Sequence, residues 1–241
     1  MFFIKNRFDA FTLAEVLITL GIVGVVAVLT LPALIQYYQE QVIVSQAKKS
    51  YSSLLNAINL MKSEEGGTDY TLIFGTNETK EKMVESFAKY YKNAKVCTKS
   101  SQGCGNIYSV KLATPINDGK GSISKESFGY PRLLLSDGSL VQLRNLRPNC
   151  TPFTYTVNVK DDKGFDTGET KIIQDKRCAT IILDVNGENK GPNQYGADVH
   201  QVLIYSDEIT PNVSDYGALT NILKYNKLRY KKYPDSMTFD R

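Results

Sequence analysis

Glu15 is the one charged residue in a run, residues 11–35, that reads FTLAEVLITLGIVGVVAVLTLPALI. A carboxylate near the start of an apolar helix is costly in a membrane unless something neutralises it, so a chain that carries one there is expected to use it. The partial positive charge of a helix N-terminus offsets some of that cost. Other residues suited to chemistry are few. There is one histidine, His200, so any Ser-His or Cys-His catalysis would rest on that side chain. It lies between Val199 and Val202 in a β-branched run and reads as structural. No nucleophile–base pair and no Gly-rich nucleotide loop stands out, which argues against an enzyme.

Four cysteines, Cys97, Cys104, Cys150 and Cys178, lie beyond the apolar run. An even count in an exported domain suggests two disulfides, with buried free thiols as the alternative. Three pairings exist. Cys97 and Cys104 enclose a short loop with Gly103 to help it turn, and Cys150 and Cys178 flank a predicted hairpin, so local pairing is the first choice. The Cys97–Cys104 spacing and the lone histidine argue against zinc. Asp184-Val-Asn186-Gly187-Glu188 opens a polar loop that closes at Asp198. Asp184, Asn186, Glu188 and Asp198 are candidate calcium ligands, since calcium takes about six to eight oxygens from carboxylates, amides and carbonyls. The loop does not match an EF-hand. The competing expectation is a Gly/Asn/Pro turn whose side chains bond their own backbone.

These groups need elements to hold them. A helix over residues 11–35 spans about 37 Å, enough for a bilayer core of about 30 Å. Lys5 and Arg7 precede it, which favours the N-terminus on the cytoplasmic side. The run is longer than a secretory h-region and ends in no small-x-small site, so an uncleaved signal anchor fits better than a signal peptide. Past it, Val44, Ala47, Tyr51, Leu54, Ile58 and Met61 form one apolar stripe at helical spacing, ended by Gly66-Gly67. The stripe is expected to lie on a sheet. A second helix is expected over 79–91. Asp137-Gly138 between two apolar runs predicts a two-residue hairpin turn. Residues 154–159 and 170–173 predict another hairpin, 179–185 and 199–205 read as strands, and 217–229 is ambiguous, with a helix as one reading. Residues 114–127 read as an exposed loop. The fold class is α+β: a long N-terminal helix, transmembrane in its first half and amphipathic in its second, packed on an antiparallel sheet head.

A short basic leader, then Ala10-Phe11-Thr12-Leu13-Ala14-Glu15, then a long apolar stretch resembles the N-terminus of type IV pilins and type II secretion pseudopilins. Gly24 and Pro32 fall where such helices commonly carry glycine and proline. Ala10 stands where the family usually has Gly. The resemblance covers about the first 35 residues. It implies a leader, 1–10, cut by a prepilin peptidase between Ala10 and Phe11, with methylation of the new Phe11 amine. It implies a transmembrane helix at 11–35, an amphipathic extension at 36–65 and an extracytoplasmic head at 66–241. It also implies assembly through the apolar helix, where Glu15 of one subunit neutralises the Phe11 amine of its neighbour. Pro32 lacks a backbone donor and Gly24 weakens the helix, so the stretch between them is expected to unwind or bend, the alternative being the ordinary glycine and proline of membrane helices. Implied partners are the peptidase, other pilin or pseudopilin subunits, an assembly ATPase, a platform membrane protein and the bacterial inner membrane. The late Asp-x-Asn-Gly loop resembles one found in many pilin-like heads, and some pseudopilins hold calcium in a comparable position.

The alternative is a membrane-anchored adhesion or binding protein, such as a minor tip pilin, that contacts DNA. The segment 224–233 interleaves basic residues with tyrosines, a composition suited to nonspecific nucleic-acid contact. It reads first as a solvated basic tail. A net charge of +4, from 29 basic and 25 acidic residues, also argues against nucleic acid as a partner.

Overall fold

The computed structural model describes residues 12–113, 125–161, 166–213 and 219–230. The expected leader and the Ala10–Phe11 cleavage site lie outside them, as do residues 114–124 of the expected loop and the end of the basic tail. The chain divides into two units, Met1–Val42 and Ile43–Arg241. One helix, α1 (Leu13–Glu64), runs through the division.

In the first unit α1 is apolar around its whole circumference, and residues 12–39 are exposed except Ala27. Thr19 and Thr30 donate their hydroxyls to the carbonyls of Val16 (3.0 Å) and Val26 (2.9 Å), so neither needs water. The helix is unbroken through Gly24 and Pro32. The unwinding expected between them is absent from this state.

In the second unit one face of α1 is buried: Val44, Ala47, Ser50, Leu54, Ala57, Ile58 and Met61, with Tyr51 half-buried. This is the stripe seen in the sequence, widened by Ser50 and Ala57. The helix stops in a Schellman arrangement. Gly66 takes φ +64°, its N–H reaches the carbonyl of Ser63, and the Gly67 N–H reaches that of Lys62. Two short helices follow, α2 (Thr71–Phe74) and α3 (Lys80–Ala88). The Thr79 hydroxyl caps α3 by accepting from the Lys82 N–H; at the other end the Lys89 and Tyr90 N–H groups turn to carbonyls three residues back, Ser86 and Phe87, and α3 ends at Ala88, short of the expected 91.

Six antiparallel strands make the main sheet, in the order β1 (Lys95–Cys97), β4 (Arg132–Leu134), β5 (Leu140–Leu146), β8 (Ala179–Asp184), β9 (Val199–Ile204), β10 (Ile209–Pro211). Alternation sorts its two faces. Leu133, Val141, Leu143, Ile181, Leu183, Val202 and Ile204 join the α1 stripe in one core. Leu140, Ile182 and Val199 face a second core with Val110, Phe128 and Tyr195. That second core is closed by a small sheet, β2 (Tyr108–Lys111) on β3 (Lys125–Phe128). The expected loop 114–127 therefore ends in a strand: Lys125, Glu126 and Ser127 pair with β2. The β4–β5 turn also differs from expectation. Leu135 N–H bonds Ser139 O, Gly138 N–H bonds Leu135 O, and Gly138 takes φ +86°. This is a three-residue loop with glycine in the left-handed position, not a two-residue turn. Asp137 prevents the tighter turn by accepting from the Ser139 N–H (3.1 Å) and hydroxyl (2.6 Å). The second hairpin, β6 (Phe153–Lys160) and β7 (Asp166–Asp175), is a two-stranded sheet of its own. A last helix, α4 (Leu219–Tyr225), occupies the ambiguous segment. The fold is α+β, as expected.

Candidate functional site

At the start of α1, Thr12 and Glu15 satisfy one another. The Glu15 carboxylate accepts from the Thr12 N–H (2.8 Å) and hydroxyl (2.9 Å), and the Thr12 Oγ1 accepts from the Glu15 N–H (3.2 Å). This is a reciprocal capping box, legible as Thr-x-x-Glu but not drawn from the sequence above. Glu15 is thereby held at the first turn of a helix whose next residues are uniformly apolar. By length and composition this is a helix able to cross a membrane, and its most apolar window is exposed among the described residues.

The cysteines are all paired, and locally: Cys97 with Cys104 (Cα–Cα 5.7 Å) and Cys150 with Cys178 (4.1 Å). The first closes the loop after β1. The second joins the residues just before β6 and just after β7, and so ties the base of that hairpin.

The late loop is built on buried carboxylates. One Asp184 oxygen accepts from the N–H groups of Asn186 (3.2 Å) and Gly187 (2.7 Å), and the other from the Tyr108 hydroxyl. Asp198 accepts from the N–H groups of Asn193 and Gln194, each at 2.9 Å. Burial, and then the Asp198 charge, lift the Asp184 pKa to about 6. Burial raises Asp198 as well, and raises the Tyr108 hydroxyl far above its ordinary value. The Asn186 Nδ2 donates to Gly191 O at 3.2 Å, while Asn186 Oδ1 and Asn193 Oδ1 are buried with no protein partner.

Glu188 does not join Asp184, Asn186 and Asp198. Its carboxylate accepts from the Asn106 N–H (3.1 Å) and pairs with Arg132 (3.4 Å). Arg132 is fully buried on β4. It also donates to the carbonyls of Cys104 and Asn106 (3.1 Å) and lies 4.8 Å from the Tyr130 ring centre. One guanidinium thus ties the disulfide loop to the late loop. Among the described residues no three Asp, Glu, His or Cys side chains gather as a metal centre. Asp184 and Asp198 cap the loop's own backbone, while Glu188 is engaged by Arg132 and the Asn106 N–H.

His200 is buried on β9 opposite Leu183, and burial, opposed in part by the Ala197 backbone, drives its pKa down to about 4. A neutral imidazole in that setting is a packing element. In the basic tail, Lys224 lies 5.2 Å from the Tyr225 ring centre at the end of α4. Sequence reasoning missed Arg132 and Tyr108. Both sit in strands as unremarkable polar and aromatic residues, and no local pattern marks an arginine for complete burial.

Comparison with protein-family models, curated proteins and solved structures finds no match to this chain.

Proposed function

We propose that the chain is a non-enzymatic filament subunit of the type IV pilin or pseudopilin kind, anchored in a membrane by α1 with its head outside the cytoplasm. The observation that carries this reading is the pairing of two features in one helix. Glu15 stands at the first turn, and some twenty mostly apolar residues behind it are exposed among the described residues. A helix that is apolar all round needs an apolar surrounding, supplied first by lipid and then by the same helices of neighbouring subunits. Cleavage before Phe11 would create a cationic amine four residues from Glu15. In close helix packing an uncompensated charge is strongly unfavourable, so the Glu15 carboxylate and a neighbour's amine set the register. The chain is the substrate of a prepilin peptidase and the cargo of an assembly ATPase with its platform membrane protein. The two disulfides suit a head in an oxidising compartment.

Intact-mass analysis of the chain from cells with an active prepilin peptidase tests this. The expected product begins at a methylated Phe11 and is recovered in sheared surface filaments or in pseudopili. A chain that retains Met1 in such cells refutes it.

A further inference from the structure

β6 and β7 form a sheet of two strands, and neither outer edge carries a further strand among the described residues. A lone two-stranded ribbon is marginal in water, and an open edge is a template for another strand. The two edges differ. From Thr154 to Val159, β6 carries no charge. On β7, Glu169 and Lys171 flank Thr170, and all three are exposed. No ion pair among the described residues involves Glu169 or Lys171. Two apart on a strand, their side chains share one face.

This pattern is self-complementary. When a second β7 is laid antiparallel with Thr170 opposite Thr170, Glu169 of each copy faces Lys171 of the other. Centring on residue 169 instead opposes two carboxylates, and centring on 171 opposes two ammonium groups, both unfavourable. We propose that residues 168–172 of β7 dock edge to edge on the same segment of a second copy of this chain, about a two-fold axis at Thr170. The result is one four-stranded sheet. The regular register spans three pairs, as many as hold β1 on β4 or β10 on β9. Beyond it the β6–β7 register shifts between Asn158 and Lys160, and Gly168 there takes φ +79° with nothing within 4 Å of its missing Cβ. That opening receives Ile172 of the other copy, which is 71% exposed in the single chain. A two-fold contact of this kind does not depend on the filament reading.

Thr170→Cys in the full-length chain tests it, because the four native cysteines are paired and the new thiol stands alone. Residues directly opposite across antiparallel strands have Cβ atoms about 4.5–5.5 Å apart, close enough to oxidise. Non-reducing gels of membranes should show most of the chain as a covalent dimer. Thr156→Cys on β6 should give about a tenth as much or less. Adding Glu169→Lys to Thr170→Cys should cut the dimer about tenfold, and adding Lys171→Glu to that should restore it. Wild type treated with a zero-length carboxyl–amine cross-linker should give a dimer joined from Glu169 to Lys171, a readout that needs no variant to fold. Equal dimer from both cysteine variants, failure of the double charge reversal to restore it, or no Glu169–Lys171 dimer from wild type would overturn the proposal.

Discussion

Replacing Glu188 by Gln strips Arg132 of its carboxylate partner while keeping an acceptor for the Asn106 N–H. The guanidinium stays fully buried on β4, and the lost contact is 3.4 Å long with Glu188 22% exposed. Two unit charges at that distance attract by about 5 kcal/mol at an effective dielectric of about 20. Partial exposure of Glu188 and the carbonyl bonds that Arg132 keeps reduce this, and we expect a loss of about 2–3 kcal/mol. In a domain this size that is a drop of roughly 5–10 °C in Tm. Arg132→Met should also destabilise, because it orphans the carbonyls of Cys104 and Asn106. The double variant should lose less than the sum, with a coupling of at least about 1.5 kcal/mol, since a buried charge pair removed whole is less harmful than one broken. Urea unfolding of the Ile43–Arg241 unit in all four forms measures this. If the two single losses add within about 0.5 kcal/mol, the ion pair does not tie the two loops together.

Glu15→Leu and Glu15→Gln should both stay in the membrane yet give at least about tenfold fewer sheared filaments, whereas Thr12→Ala should form them nearly normally. Gln keeps the cap and loses only the charge, so a Gln variant at wild-type filament abundance would mean that Glu15 serves its own helix and not its neighbour. Asp184, lifted from 3.8 to about 6, favours the fold fully below pH 3.8, and that contribution is lost as pH rises through 6. His200, lowered from 6.5 to about 4, acts oppositely, with its contribution present above pH 6.5 and lost as pH falls through 4. Asp184→Asn should therefore raise Tm at pH 7.5, by up to about 3 kcal/mol of stability, with the advantage gone near pH 4. A fall in Tm at pH 7.5, matched by a fall of wild type on chelation, would show instead that the loop holds calcium. Replacing the Cys150–Cys178 pair by serines should cost about 3.6 kcal/mol and the Cys97–Cys104 pair about 2.5, because their separations are 28 and 7 residues. Thermal melts that reverse this order would contradict loop closure as the source.

Where the pattern is local and periodic, the sequence carries the fold. The stripe from Val44 to Met61, the cap at Gly66-Gly67 and the buried, β-branched-rich β8 and β9 all find the places their spacing implies. Short edge strands are another matter. β1 and β10, three residues each, exist because β4 and β9 beside them offer hydrogen bonds, and nothing within KVC or ITP announces that. The loop from Asp184 to Asp198 shows the same limit at the candidate site. Its residue types suit calcium and backbone capping equally. Where Glu188 goes is not legible from the loop either, because its partner is Arg132, 56 residues away in sequence. The Thr12–Glu15 cap was within reach, since its spacing is local.

The disulfide at the base of the β6–β7 hairpin also sets an order of events. In a reducing compartment the thiols of Cys150 and Cys178 remain apart, and a ribbon of two strands has little beyond its own pairing to hold it. On the proposed export of the head, that stretch stays pliant before it crosses the membrane, and oxidation beyond it works as a latch that closes once. After it closes, the ribbon cannot fray from its root, and the edge contact proposed for β7 is offered only by chains that have been oxidised.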